Sequence, residues 1–388
     1  MTTGAAARPR ARELGVAPGT LPPGPVNAIT DVPGVRVGHA TVIEAAGPEH
    51  GEIRTGVTAI VHDALLRRDP AGRKALPAGL AVYNGFGKMT GSTQIDELGT
   101  IETPILLTST LSVFRVADAL LSYLRARPEF ASAVSLNPVV AETNDGHLSD
   151  IWARRVTAAH VAAALDSAAA GPVAEGCVGA GTGTRALGFK AGIGTSSRRV
   201  PAVAGRPATV GALVQANFTG LLTVAGRPVR PARPDPPAAG NSCVIVLATD
   251  VSLDARTLRR LASRAFPAMA RTGSDFSGGS GDYALAMSTG ALSTAASAAA
   301  SSTTGASTTG ASTTGASTTA ASTTGSRDRP TAADGSRPVP GDELDLLFTA
   351  AMEATEEAIL NSLCRAVTTT GYQGRVSEAV PLAAITGS

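Results

Sequence analysis

Aromatic side chains are scarce in this chain of 388 residues, with one Trp, four Tyr and eight Phe. Any core must therefore be built from Ala, Val, Leu and Ile, the aliphatic packing of sheets covered by helices. Cysteine is scarcer still. Cys177, Cys243 and Cys364 are odd in number, widely spaced and set among apolar neighbours, which argues against a disulfide framework and for a reducing compartment. Five histidines, at 39, 50, 62, 147 and 160, show no metal-ligand spacing; no metal and no cofactor are expected. Net charge is nearly absent, since 33 basic and 31 acidic residues leave +2. No strong field favours a polyanion or a membrane surface, so nucleic-acid and membrane partners are disfavoured. No window reaches the ~18 uninterrupted apolar residues of a membrane span, and Met1 to Pro25 lacks the apolar stretch of a signal peptide. A cytoplasmic protein is the expectation. One absence is local: from Gly176 to Pro234 there is no acidic residue against eight Lys or Arg, a stretch that could attract an anion or form a solvated face.

Forty-three glycines and 25 prolines mark a turn-rich globular chain, long enough for two domains or one large α/β domain. Residues 1–26 read as a flexible leader, with order expected from about Ala28. Strand-like runs follow at Val35 to Val37, Thr58 to His62, Leu80 to Tyr83, Ile105 to Thr108 and Pro138 to Ala141. Leu111, Phe114, Ala117, Leu120, Leu121 and Leu124 repeat at helical spacing, as do Val156, His160, Ala163 and Leu165. A third helix is predicted from Asp254 to Met269, interrupted by Pro267. Residues 292–340 change character: Ser301 to Gly325 holds five copies of a five-residue Ser/Thr/Gly-rich unit that can bury no apolar face, the composition of a disordered insertion. Asp342 then suits an N-cap for a closing helix whose Leu344, Leu347, Phe348, Ala351, Ile359 and Leu363 form one face, with Glu353, Glu356 and Glu357 mainly on the solvated side.

The strongest buried-strand pattern is Cys243 to Asp250, and Gly240-Asn241-Ser242 immediately precedes it. Ser242 is either a small polar residue where a turn enters a strand or a nucleophile. In the second reading it attacks the carbonyl of Asn241, cuts the chain and becomes the first residue of a new polypeptide. The α-amine so released, with an unperturbed pKa of ~8, can serve as its base. A triad using His147 would need a nucleophile elbow that Gly-Asn-Ser-Cys-Val does not supply. The run Gly179 to Ala186 contains Gly-x-Gly-x-x-Ala, yet no acid follows before Asp235, so tight turns or close backbone approach explain it better than a dinucleotide. Glu142 follows an apolar run and could pair with an ammonium or cap local N–H groups. Ser280 and Asp282, two apart at the start of a strand, point the same way. Asn217 ends another apolar run, as a turn residue or an oxyanion donor.

Taken in order, these segments resemble the DmpA-type aminopeptidases, the L-aminopeptidase/D-amidase-esterases and β-aminopeptidases. The matching stretches are ITDVPGVRVGHATV, RTGVTAIV, NGFGKMTGSTQIDELGTIETPILLTSTLSV, NPVVAETNDGHLSDI, GAGTGTRALGFKAGIGTSSR, GALVQANF, GNSCVIVLATD, RTGSDFSGGSGDYALAMST and ATEEAILNSL. The resemblance spans about 28–290 and 342–382. It implies one catalytic domain, 27–290 plus 342–382, with a four-layered α/β/β/α sandwich laid out like the N-terminal-nucleophile hydrolases. It further implies self-cleavage between Asn241 and Ser242 into an α and a β chain, Ser242 as nucleophile and Asn217 stabilising the oxyanion. Ser280 would assist, Asp282 would be the acidic partner, and Glu142 would hold the substrate's free amine. Small peptide, amide or ester substrates and a homo-oligomer, commonly a tetramer, complete the implication. Two features depart from the family pattern. The 292–340 insertion has no counterpart there, and the tyrosine that some members use has no match in the loop after Glu142. An endo-type amide hydrolase, an acyltransferase or a silent binding protein on the same scaffold are the alternatives.

Overall fold

The computed structural model describes residues 8–67, 75–232, 241–290 and 339–386. The chain first forms β1 (Val35–Glu44), β2 (Ile53–His62), β3 (Leu76–Gly85), α1 (Ser92–Leu98), β4 (Thr100–Ile101), β5 (Ile105–Ser109), α2 (Val113–Arg125), β6 (Val139–Thr143) and α3 (Ala158–Asp166). A short ribbon, β7 (Arg185–Ala186) and β8 (Phe189–Lys190), leads into β9 (Ile193–Val203) and β10 (Arg206–Asn217). A second ribbon, β11 (Thr223–Val224) and β12 (Arg227–Pro228), precedes β13 (Asn241–Thr249), α4 (Ala255–Ala262), α5 (Ala265–Thr272) and β14 (Ser280–Ser288). The long α6 (Gly341–Cys364), a third ribbon, β15 (Thr369–Thr370) and β16 (Val376–Ser377), and α7 (Leu382–Thr386) close the fold.

Two sheets carry the architecture, one in the order β1-β2-β5-β6 and one in the order β4-β3-β14-β13-β10-β9. All nine residues of β13 are buried, as its unbroken apolar run demands of a strand covered on both faces. The pleat sorts its side chains. Val244, Val246 and Ala248 join Ile60, Ile105, Leu107 and Val139 between the two sheets. Cys243, Ile245 and Leu247 join Leu258, Leu261, Met269, Leu347 and Ile359 from α4, α5 and α6. The outer face of the smaller sheet, with Val57, Val61 and Leu106, packs on Val116 and Leu120 of α2 and Val161 of α3. The order is helix, sheet, sheet, helix, the four-layered sandwich expected.

Several local expectations are corrected. Residues 8–26 are no flexible leader: Ala11 is fully buried, Arg10 pairs with Glu175 and Arg12 with Glu357, and the Thr20 and Leu21 N–H groups donate to Glu353. Residues 1–7 lie outside the described residues. Glu353 and Glu357 do not face solvent. They are buried in α6 against Arg198, whose own side chain is fully buried, because an ion pair can enter a core that a lone carboxylate cannot. Nor is the acid-free stretch a solvated face throughout, since Lys190 and Arg198 are interior. Pro267 does not break the third helix. The break falls at Ser263–Arg264, between α4 and α5, because Pro267 occupies the first turn of α5, where its missing N–H costs little. Phe114 is exposed rather than on the buried face of α2, and Pro340 rather than Asp342 precedes α6. The insertion reading, from 292 to 338, lies outside the described residues. Among the described residues no helix is long and apolar enough to cross a membrane.

Candidate active site

Strand register assembles the site. Ser242, second residue of β13, lies opposite Asn217 across the antiparallel pairing with β10. On its other side β13 runs parallel to β14, setting Asn241 beside Ser280, Ser242 beside Gly281 and Cys243 beside Asp282. The parallel step is possible because α4 and α5 carry the chain back across the sheet. By alternation Ser242 and Asn217 face the inter-sheet side. Asn241, Ser280 and Asp282 share the opposite face with Cys243.

The hydroxyl of Ser242 is buried and donates to the carbonyl oxygen of Asn241. The Asn241 amide is itself anchored, donating to Thr219 Oγ1 at 3.0 Å and Ser277 Oγ at 2.9 Å. Asn217 Oδ1 accepts the Arg185 N–H at 3.1 Å, so what this side chain has to offer an oxyanion is N–H donation. Ser280 Oγ donates to Asp282 Oδ1 at 2.8 Å, and Asn84 Nδ2 donates to Asp282 Oδ2 at 2.9 Å. Burial pushes the Asp282 carboxyl up, with these two hydrogen bonds opposing the shift. Cys243, turned into the helix-side core, has its thiol raised well above the usual range by burial and is no nucleophile.

Glu142 reaches the same place through glycines. A Cβ on Gly281 would lie 2.8 Å from Gly87 Cα, and one on Gly87 would lie 2.8 Å from the Tyr283 ring and 3.2 Å from Glu142 Oε1. No side chain but hydrogen fits between these groups. Glu142 is only 1% exposed. Its Oε1 accepts the Lys88 N–H at 3.0 Å and sits 3.5 Å from Lys88 Nζ, while Oε2 is buried without a hydrogen-bond partner among the described residues. Desolvation raises its carboxyl, and Lys88 pulls it back down.

Ser242, Asn217, Asn241, Ser280, Asp282 and Glu142 are thus brought together around one junction. His147 is not brought to Ser242: among the described residues no hydrogen bond joins them, and burial with Arg185 and Arg375 nearby lowers its imidazole to about 4. The glycines at 179–183 are close-approach positions, since a Cβ on Gly181 would meet Ile193 N at 2.3 Å and one on Gly183 would meet Arg54 O at 2.0 Å. Sequence reasoning missed Asn84, Lys88, Thr219, Ser277 and Tyr283. Tyr283 on β14, whose hydroxyl donates to the Gly85 carbonyl at 3.4 Å, flanks Gly87 together with Glu142. The run Asn84-Gly-Phe-Gly-Lys88 at the end of a strand was the available signal.

Known proteins share this arrangement of chain. The sequence matches the profile described as peptidase family S58 over residues 27–377. Beta-peptidyl aminopeptidase BapA of Sphingosinicella xenopeptidilytica is 39% identical over 404 residues, covering 98% of this chain and 90% of that protein. A solved beta-aminopeptidase from Burkholderia sp. is 40% identical, with a TM-score of 0.78 and 98% of each chain covered. The L-aminopeptidase D-Ala-esterase/amidase of Ochrobactrum anthropi, described as a prototype for the serine aminopeptidases and a variant of the Ntn hydrolase fold, is 34% identical with a TM-score of 0.76 over 97% of each chain. With the profile matched over nearly its whole length and such relatives at this coverage, the chain belongs to peptidase family S58.

Proposed function

We propose that this chain is a self-processing serine aminopeptidase and amidase that removes an N-terminal residue from small peptides, amides or esters. The observation that carries the reading is the Ser242 hydroxyl held against the carbonyl of its own preceding residue. Attack of Oγ on the Asn241 carbonyl carbon shifts the acyl group from nitrogen to oxygen. Water then hydrolyses the ester, leaving a carboxylate on Asn241 and a free α-amine on Ser242. The anchoring of Asn241 by Thr219 and Ser277 keeps that carbonyl in register.

In the mature protein the amine accepts the Oγ proton, and Oγ attacks the substrate carbonyl. Asn217 donates to the oxyanion, a contribution of ~3 kcal/mol in comparable sites. The protonated amine then gives its proton to the leaving amine or alcohol as the scissile bond breaks, and water, deprotonated by the same amine, hydrolyses the acyl-enzyme and returns Ser242 Oγ. Ser280, its own proton committed to Asp282, offers its lone pairs to the amine and holds it for the proton transfer. Glu142 binds the substrate ammonium through Oε2, a buried carboxylate oxygen without a hydrogen-bond partner among the described residues. The relatives named as beta-peptidyl and L-aminopeptidases support hydrolysis at a free N-terminus. A cytoplasmic location and assembly into a homo-oligomer belong to the same reading.

The test is Ser242→Ala. The wild-type chain should resolve into two fragments, the smaller beginning Ser-Cys-Val-Ile, whereas the variant should remain one 38.7 kDa chain without activity. Two fragments in the variant, or full activity in an uncut wild type, would remove the mechanism. N-acetylated substrates should resist hydrolysis, since acetylation removes the charge that Glu142 binds.

A further inference from the structure

The amine subsite contains a cation of its own. Lys88 Nζ lies 3.5 Å from Glu142 Oε1 and donates to Thr110 Oγ1 at 2.6 Å, and the lysine side chain is 40% exposed. Its ammonium has three N–H donors, and among the described residues the third has no protein acceptor. Glu142 Oε2, buried and unsatisfied, is an acceptor beside it. One carboxylate and the ammonium that pairs with it therefore keep between them an acceptor and a charged donor without a hydrogen-bond partner among the described residues.

Charge balance sharpens this. Glu142 is already neutralised by Lys88. A substrate that brings only an ammonium sets two cations against one buried carboxylate, and like charges at that range repel. A substrate that also brings a carboxylate restores neutrality. It accepts from Lys88 while its ammonium donates to Glu142. The 3.5 Å separation of the two protein charges suits an ammonium and a carboxylate carried on one carbon, the head group of a free amino acid.

We infer that the substrates this site selects are peptides and amides with an N-terminal β-aspartyl residue. There the amine and the α-carboxylate share one carbon, and the scissile carbonyl lies one methylene away. Such a residue is a β-amino acid whose substituent is a carboxylate. Lys88 is then the specificity-determining residue, and the inference rests on Glu142 as the amine-binding group.

The experiment compares three p-nitroanilides on processed enzyme: β-aspartyl, its isoasparaginyl counterpart with the carboxylate replaced by carboxamide, and β3-homoalanyl. A charge-assisted hydrogen bond from Lys88 is worth enough to give the β-aspartyl compound at least about tenfold higher kcat/KM than the carboxamide. Lys88→Met should collapse that ratio to within about threefold, and Lys88→Arg should keep most of it. Equal turnover of acid and carboxamide by the wild type would overturn the inference, as would a ratio unchanged in Lys88→Met. The wild-type ratio decides even if a Lys88 variant fails to process. Should the β3-homoalanyl compound be cleaved and its N-acetyl form resist, with no advantage for β-aspartyl, only this inference falls. Should all three resist, the inference falls, and turnover of an L-alanyl p-nitroanilide then decides the aminopeptidase reading separately: if that is cleaved the reading stands, and if it resists too the reading falls as well.

Discussion

Arg198→Met should be among the most damaging substitutions outside the active site. Arg198 on β9 is fully buried and uses both ends of its guanidinium: Nε to Glu353 Oε2 at 3.2 Å, Nη2 to Glu357 Oε2 at 2.7 Å, and Nη1 to Ser196 Oγ at 2.9 Å. Further bonds go to the carbonyls of Pro18, Ser197 and Glu353. Glu357 also takes Arg12 Nε at 2.9 Å and Asn27 Nδ2 at 2.6 Å. Two carboxylates against two guanidiniums make the cluster neutral. Removing Arg198 leaves one uncompensated negative charge in a dry core, at a cost of ~3–5 kcal/mol. Glu357→Gln strands a positive charge instead. Combined with Arg198→Met it restores neutrality, so the double variant should lose less than the sum of the singles by roughly 1–3 kcal/mol. Urea unfolding in the Ser242→Ala background, where the chain stays whole, measures all three. Under the proposed cleavage before Ser242, β9 and α6 would belong to separate polypeptides, so the same Arg198→Met change should appear as weakened association of the two fragments. A single-variant loss under about 1 kcal/mol, or strict additivity, would refute the uncompensated-charge argument.

Asn217→Ala should lower kcat by about 10²–10³ with little change in KM, because an oxyanion donor acts mainly in the transition state; steady-state kinetics on any cleaved amide reads this, and a KM effect alone would reassign the residue to ground-state binding. Asp145 gives a pH signature. Burial raises its carboxyl from 3.8 to about 6, so the folded protein holds that proton more tightly than the unfolded chain does. The resulting stabilisation is whole below pH 3.8 and is lost as pH rises through about 6. Asp145→Asn keeps an acceptor for Ser109 Oγ, now 2.8 Å away, and should flatten the fall in urea midpoint between pH 4 and 6 relative to wild type. An identical slope in both proteins would show that Asp145 does not carry it.

Sheet and helix layers were legible because their signals are local. The apolar run of β13 reads as a strand covered on both sides, and it is buried along its whole length. Spacing in α2 gave the core positions Ala117, Leu120 and Leu124. The misreadings share a cause in partners remote along the chain. Glu353 and Glu357 look like solvent-side carboxylates until Arg198 is set beside them from 155 and 159 positions away. Residues 8–26 look unstructured until Arg10 and Arg12 find Glu175 and Glu357. Lys88 and Asn84 were hidden in the same way, since nothing near them in sequence announces Glu142 or Asp282.

The site itself was half legible, and the missing half is register. Spacing correctly gave Ser280 and Asp282 a common direction, and their hydrogen bond bears that out. It gave no information about which face they share with Ser242. Pairing of β13 with β14 supplies the answer: Ser280 and Asp282 align with Asn241 and Cys243, whereas Ser242 aligns with Gly281. The Ser242 hydroxyl and the Ser280–Asp282 pair therefore lie on opposite faces of one sheet, where no side-chain base on the Ser280 face could take the Oγ proton directly. A backbone nitrogen belongs to neither face, because it lies in the plane of the strands. An amine released at Ser242 would be within reach of its own Oγ on one side and of Ser280 on the other. That geometry is the physical reason for proposing cleavage at this bond, rather than recruitment of a histidine such as His147, as the step that would complete the catalytic group.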